Sequence, residues 1–309
     1  MPRVDFRSPR LYVTAPLSVG AALPLDRAQS NYLVNVLRLK AGDPVLVFNG
    51  RDGEWRTALT QAGRRDVALV ADACVRAQSP SGDLHLLFAP LKHVRLDYLV
   101  QKAVEMGVTT IQPVLTRHVQ VTRLNLDRMQ ANAIEAAEQC GILGLPGIAE
   151  PRGFDAVIGG LDSKRLVIFC DEDAETRDPV AALAAHRSDA IRPLAVLTGP
   201  EGGFSEPERE ALLRLPNVVR LSLGPRILRA DTAVVAALAA HRSEVGRGEA
   251  LRPLAVLTGP EGGFSEQERD ALLRLPNVVR LSLGPRILRA DTAVVAALAV
   301  VQAVLGDWR

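Results

Sequence analysis

Lysine is scarce in this chain of 309 residues: only Lys40, Lys92, Lys102 and Lys164 occur. No GxxxxGK[ST] is present, which excludes the phosphate loop of nucleotide hydrolases. No GxGxxG follows an apolar run, so the Rossmann dinucleotide fingerprint and the glycine loop of the commonest methyltransferase fold are missing too. HExxH and GxSxG are absent and the five histidines stand apart, which removes most support for zinc-protease or serine-hydrolase chemistry. A lone histidine such as His85 or His118 is far more often structural than a ligand. Cys74, Cys140 and Cys170 are odd in number and widely spaced; they suit neither a disulfide framework nor a metal site and are expected to be buried and unreactive. No run approaches the ~18 apolar residues of a membrane span, and the N-terminus lacks the apolar core of a signal peptide. The expectation is a cytoplasmic protein with no metal and no membrane partner.

What is present begins with apolar content, 48 % of the chain, enough for two packed domains. Net charge is only +2, yet residues 1 to 73 carry ten basic side chains against seven acids. That excess suits an anionic partner, and an ordinary solvated surface accounts for it equally well.

The chain is organised around Leu194 to Ala239, which returns at Leu254 to Ala299 with two changes, Pro207 to Gln267 and Glu210 to Asp270. Each copy holds an apolar run, Leu194 to Leu197, that breaks into Gly199-Pro200-Glu201-Gly202-Gly203. A second run, Val218 to Leu223, breaks at Gly224-Pro225. Two strands are expected to end side by side in two glycine loops, where backbone amides can approach a ligand closely, beyond the carboxyl ends of a parallel sheet.

Ahead of the repeats, short β-like runs at 11 to 13, 45 to 48, 56 to 60 and 67 to 71, with turns at 41 to 43 and 49 to 53, predict a small β-barrel. A helix over Ala28 to Leu39 is expected to bury Tyr32, Leu33, Val36 and Leu37. Ala77 to Gly82 reads as a joint. Beyond it, strands at Leu84 to Phe88, Thr110 to Leu115 and Arg165 to Cys170 alternate with helices at Leu96 to Met106, Leu126 to Cys140 and Pro179 to His186, an α/β layered pattern. The domains are drawn at 1 to 76, 83 to 243 and 244 to 309, the last being the surplus copy.

Leu197 to Glu206 (LTGPEGGFSE) with Leu223 to Ala233 (LGPRILRADTA) resembles the C-terminal signature of the ribosomal RNA small subunit methyltransferase E family, of the SPOUT superfamily. The likeness extends to 134 to 141 (IEAAEQCG), 101 to 109 (QKAVEMGVT), 36 to 43 (VLRLKAGD) and Arg10, nearly the whole chain apart from one repeat. The resemblance implies a PUA-like β-barrel that holds RNA and an α/β SPOUT domain closed by a C-terminal trefoil knot. It also implies S-adenosylmethionine as donor, N3 of a uridine in 16S ribosomal RNA as acceptor, and a homodimer. In the family's manner, Leu197, Thr198, Gly199, Glu201, Gly202, Ser222, Leu223, Gly224, Ile227, Leu228 and Thr232 would cradle the donor. In the second copy the counterparts are Leu257, Thr258, Gly259, Gly262, Ser282, Leu283, Gly284, Ile287, Leu288 and Thr292.

Methyl transfer from a sulfonium is an in-line displacement governed by positioning. Uridine N3 is protonated and a poor nucleophile, so a base, or a cation near O2 and O4, must act. Glu201 is a candidate base, with capping of the helix near Ser205 as its alternative role; Arg229 is a candidate for the developing anion or a phosphate, with a salt bridge to Asp231 as the alternative; Arg10 is a third. Arg7, Arg10, Arg38 and Lys40 are candidates for RNA contact. One sheet has a single slot for the repeated strands, and the first copy, reached by the shorter connection, is expected to fill it. Two other readings remain: an RNA-binding protein whose donor pocket the duplication has spoiled, and a SPOUT enzyme acting on another RNA such as a transfer RNA.

Overall fold

The computed structural model describes residues 8–61, 67–78, 82–171, 174, 183, 193–200, 202–222, 232, 233 and 235–238, with 267, 270, 271, 274, 292, 295 and 296 of the second copy. Two compact units divide the chain: Met1–Ser81 with Ile134–Leu145, and Gly82–Ala133 with Pro146–Arg309.

In the first unit, β1 (Arg10–Tyr12), β2 (Ala22–Pro24), β3 (Pro44–Phe48), β4 (Glu54–Gln61) and β5 (Val67–Arg76) form one sheet ordered β1-β3-β4-β5-β2. The β4–β5 ladder shifts register at Glu54/Trp55 and Arg56/Thr57, irregularities that bend a strand and let the sheet curl over Leu11, Leu33, Val45, Val47, Leu59 and Leu69. At the turn into β4, Asn49 Oδ1 accepts the amides of Arg51 and Asp52 at 3.0 and 2.9 Å. Gly53 follows at φ +84, where a Cβ would lie 2.4 Å from the Arg76 carbonyl; only glycine fits.

The helix expected over Ala28 to Leu39 is shorter. Asp26 and Gln29 form a capping box that starts α1 (Arg27–Asn31), and a π-helical turn, Tyr32–Val36, follows. Leu37 N–H donates to Tyr32 O at 2.9 Å, and this wider turn displaces the 3.6-residue stripe. Only Leu33 of the four expected core residues is buried, while Tyr32, Val36 and Leu37 are exposed.

The second unit holds parallel strands β6 (Leu84–Phe88), β7 (Thr110–Leu115), β8 (Gly147–Ile148), β10 (Leu166–Cys170), β11 (Leu194–Thr198) and β12 (Val218–Leu221), ordered β12-β10-β11-β6-β7-β8, with β9 (Arg152–Gly153) beside β7. Helices α2 (His93–Glu105), α3 (Leu126–Cys140, which runs into the first unit), α4 (Phe154–Ile158) and α5 (Glu206–Leu213) alternate with them. Strands and helices alternate here as the layered α/β pattern predicts. Gly107 and Gly141 follow α2 and α3 at φ +79 and +62, conformations that end helices and suit glycine. The apolar run of β10 is paired on both edges, Ile168 standing in register with both Val196 and Val219, as strands buried on both faces of a parallel sheet do. That corrects the expected adjacency: β11 and β12 are not neighbours but flank β10.

Both described strands of the repeat belong to the first copy. The helix expected at Pro179 to His186, the knot and the strands of the second copy lie outside the described residues. One described group of the second copy is informative. Thr292 is fully buried, its hydroxyl bonded to Glu105 Oε2, while Lys102 Nζ donates to Glu105 Oε1 at 3.0 Å, both side chains fully buried. A seat on α2 is thus occupied from the second copy.

Of the cysteines expected to be buried only Cys140 is, while Cys170 is half-buried and Cys74 exposed. Burial, with Asp171 adding to it, pushes the Cys170 thiol up to about 12, which keeps it protonated and inert.

Candidate functional site

The site is built at the carboxyl end of β11. Leu197 and Thr198 are buried in the sheet, and Thr198 O accepts the Ala89 amide at 3.1 Å. The chain then breaks at Gly199 for a steric reason: a Cβ there would stand 2.7 Å from Cε2 and 3.0 Å from Cδ2 of Phe204. Gly203 N–H closes a turn onto Pro200 O at 2.9 Å, with Gly203 at φ +70. The Phe204 ring is anchored edge-on against Phe169, centroids 5.4 Å apart, and tilted on Phe154 at 6.1 Å. A glycine loop is therefore folded back over its own aromatic anchor, which packs against a core of Leu87, Val114, Phe169 and Leu197.

Ser205 then caps α5. Its N–H and hydroxyl donate to Glu208 Oε2 at 2.8 and 2.7 Å, and Pro207 sits in the first turn, where its missing N–H costs nothing. Glu208, which sequence reasoning passed over, takes the capping role considered for Glu201. Its other oxygen accepts the Arg117 amide at 2.8 Å, so one carboxylate ties the β11 loop to the loop after β7. His118 strengthens the tie: its Nδ1 lies 3.3 Å from Gly203 O, and a Cβ at Gly202 would sit 3.4 Å from His118 Cβ. Between these loops and the α2 entry lies an open cleft bordered by Lys92, His118, Gln120, Pro200 and Gly202.

Across the sheet, Asp171 is nearly buried at the exit of β10. It accepts Arg220 Nε of β12 at 2.7 Å and Arg209 Nη2 of α5 at 3.2 Å, and its N–H donates to Leu221 O at 3.1 Å. This carboxylate fixes the strand end that leads into the second glycine loop.

Of the expected donor-binding residues, Leu197, Thr198, Gly199 and Gly202 share this corner, and Ser222 follows β12 on the far side of β10. Thr232 is half-buried and Thr292 buried. Glu201, Leu223, Gly224, Ile227, Leu228, Arg229, Arg7 and the second-copy residues Leu257, Thr258, Gly259, Gly262, Ser282, Leu283, Gly284, Ile287 and Leu288 lie outside the described residues.

In the first unit, Arg38 and Lys40 are exposed, Arg38 at φ +58. Arg10 is placed differently from the expectation: it is 7 % exposed, its Nε donates to Glu54 Oε1 at 2.8 Å, and Arg76 reaches the same oxygen at 3.2 Å. A guanidinium held this way braces β1 against β4. Among the described residues no helix is long and apolar enough to cross a membrane.

A parallel α/β sheet with a glycine loop at the carboxyl end of β11, following a curled β unit, defines a class, and comparisons with known proteins give it a name. The RNA methyltransferase domain matches residues 77–242 and again 244–302, and the RNA methyltransferase PUA domain matches 25–71. The chain belongs to the ribosomal RNA small subunit methyltransferase E family. The Synechocystis protein of that name is 30 % identical, aligned over 74 % of this chain and 76 % of its own length. The Rickettsia conorii protein is 28 % identical over 75 % and 94 %. Among solved structures, the family member from Neisseria gonorrhoeae bound to S-adenosyl methionine is 28 % identical with a TM-score of 0.63, covering 76 % of this chain and 97 % of that one. A methyltransferase from Legionella pneumophila in complex with bound SAM is 25 % identical with a TM-score of 0.67, over the same shares. Three of these relatives are covered nearly end to end while this chain is covered only in part, as a surplus repeat requires.

Proposed function

We propose that this protein transfers a methyl group from S-adenosylmethionine to N3 of a uridine in small-subunit ribosomal RNA. The observation that carries the reading is the loop after β11: Gly199 closed down on Phe204, Gly203 left-handed, and the whole turn tied to the β7 loop through Glu208 and His118. Such a preformed backbone corner suits a ligand bound mainly by main-chain groups, and its rigidity lowers the ordering cost of binding. The relatives with bound donor, named above, support S-adenosylmethionine as that ligand.

The donor cradle is assigned to Leu197, Thr198, Gly199, Glu201, Gly202, Ser222, Leu223, Gly224, Ile227, Leu228 and Thr232 of the first copy, because the described strands of the first copy occupy the sheet. Arg229 is assigned to the anion formed on the base or to a phosphate. Arg7, Arg38 and Lys40 of the PUA unit are assigned to RNA. The working form is a cytoplasmic homodimer, and the domains run 1 to 76, 83 to 243 and 244 to 309. The test is mass spectrometry of small-subunit RNA incubated with the protein and S-adenosylmethionine: one N3-methyluridine supports the reading, and donor binding without RNA methylation rejects it.

A further inference from the structure

Resting on that reading, we propose that the cleft beside the β11 loop receives the acceptor uracil, with His118 taking the N3 proton and Lys92 facing a carbonyl oxygen of the base. The cleft opens at the carboxyl ends of β6, β7 and β11, the edge at which parallel α/β sheets bind ligands. Leu91, Val121 and Pro200 give it apolar wall for a planar ring, and Lys92, His118 and Gln120 give it polar groups.

The orientation of His118 follows from its partner. Nδ1 lies 3.3 Å from Gly203 O, and a carbonyl oxygen can only accept, so Nδ1 carries the hydrogen and the neutral ring bears its free lone pair on Nε2. Lys92 is exposed at the entry of α2 and makes no ion pair with a described residue. The cleft thus combines a hydrogen-bond acceptor with a cation, which is what an imide requires. Nε2 removes the proton from N3, and the negative charge spreads to O2 and O4, where the ammonium stabilises it. The N3 electron pair then forms the bond to the donor methyl carbon as the carbon–sulfur bond breaks, and that bonding pair remains on sulfur as a neutral thioether. The imidazolium returns its proton to water.

The same pair of groups selects the base. Cytosine has no proton at N3 for Nε2 to accept, and it presents an amino group where uracil presents O4, so a cation there meets a donor.

The test separates the base from its structural role. His118→Asn keeps an amide nitrogen at the Nδ1 position to donate to Gly203 O and removes Nε2. Single-turnover methylation of small-subunit RNA is expected to fall about 100-fold or more, with donor binding by calorimetry within about twofold of wild type. In His118→Ala, added imidazole is expected to restore part of the rate. Lys92→Met is expected to lose activity that Lys92→Arg retains. A His118→Asn enzyme as fast as wild type, or a Lys92→Met enzyme as fast as Lys92→Arg, overturns the inference while leaving the methyltransferase reading intact. A wild-type protein that forms no N3-methyluridine overturns the proposed function instead.

Discussion

Replacing Gly199 by alanine places a methyl carbon 2.7 to 3.4 Å from three carbons of the Phe204 ring, where about 3.5–4.0 Å is the normal separation. The ring cannot simply retreat, because Phe169 and Phe154 hold it from other sides. Either the loop backbone moves or the anchor leaves its seat, and overpacking of this sort costs about 1–3 kcal/mol. Transmitted to the donor cradle, that range lowers S-adenosylmethionine affinity about 5- to 150-fold. Urea unfolding measures the first effect and calorimetry the second. The diagnostic variant is Gly199→Ala combined with Phe204→Leu, since a smaller, more pliant side chain makes room for the methyl. The pair should be coupled by about 1 kcal/mol or more. Unchanged stability and donor binding in Gly199→Ala, or strictly additive effects in the double variant, would refute the argument that the aromatic anchor dictates the glycine.

Gly202→Val is expected to abolish measurable donor binding by crowding His118, whereas Gly262→Val leaves calorimetric affinity unchanged; the reverse pattern moves the cradle to the second copy. Thr292→Val removes a hydroxyl from a buried carboxylate and should lower stability by about 1–3 kcal/mol in chemical denaturation, while Thr232→Val, at a half-buried position, stays within about 0.5 kcal/mol. Burial, with Glu135 adding to it, lifts Glu138 from 4.5 to about 7 despite the hydrogen bond from the Tyr12 amide. The folded state therefore holds a proton that the unfolded chain releases: this contribution is complete below pH 4.5 and lost as pH rises through 7, by up to about 3 kcal/mol. Glu138→Gln should flatten the stability profile across that window, and a profile as steep as wild type would assign the slope to other groups.

The strands and longer helices were legible because their periodicities are simple. Thr110–Leu115 and Leu126–Cys140 stand where the pattern placed them, and β10 announced its two-sided burial by an unbroken apolar run. What sequence concealed was chiefly non-local. The three-residue β2 has no alternation to detect and exists because it pairs with β5. The π-helical turn spoils an amphipathic stripe that reads cleanly on paper. Arg10 looked like surface charge because nothing near it in the chain reveals Glu54, 44 positions away. The order of strands was misjudged for the same reason, since two runs close in sequence can still admit a third between them. His118 reads as an isolated histidine because its approach to Gly203 O joins residues 85 positions apart. Glu208 did carry a signal, the Ser-x-x-Glu spacing of a capping box.

Thr292 seals a carboxylate on α2 while β11 and β12 come from the earlier copy, and this changes what redundancy means here. Duplicated segments ordinarily free one copy to drift. In this chain the described residues give each copy a part: damage at β11 or β12 of the first removes sheet, and damage at Thr292 of the second uncovers the buried Glu105 carboxylate. Tolerance to mutation should therefore differ between matched positions, the buried Thr292 accepting less change than the half-buried Thr232.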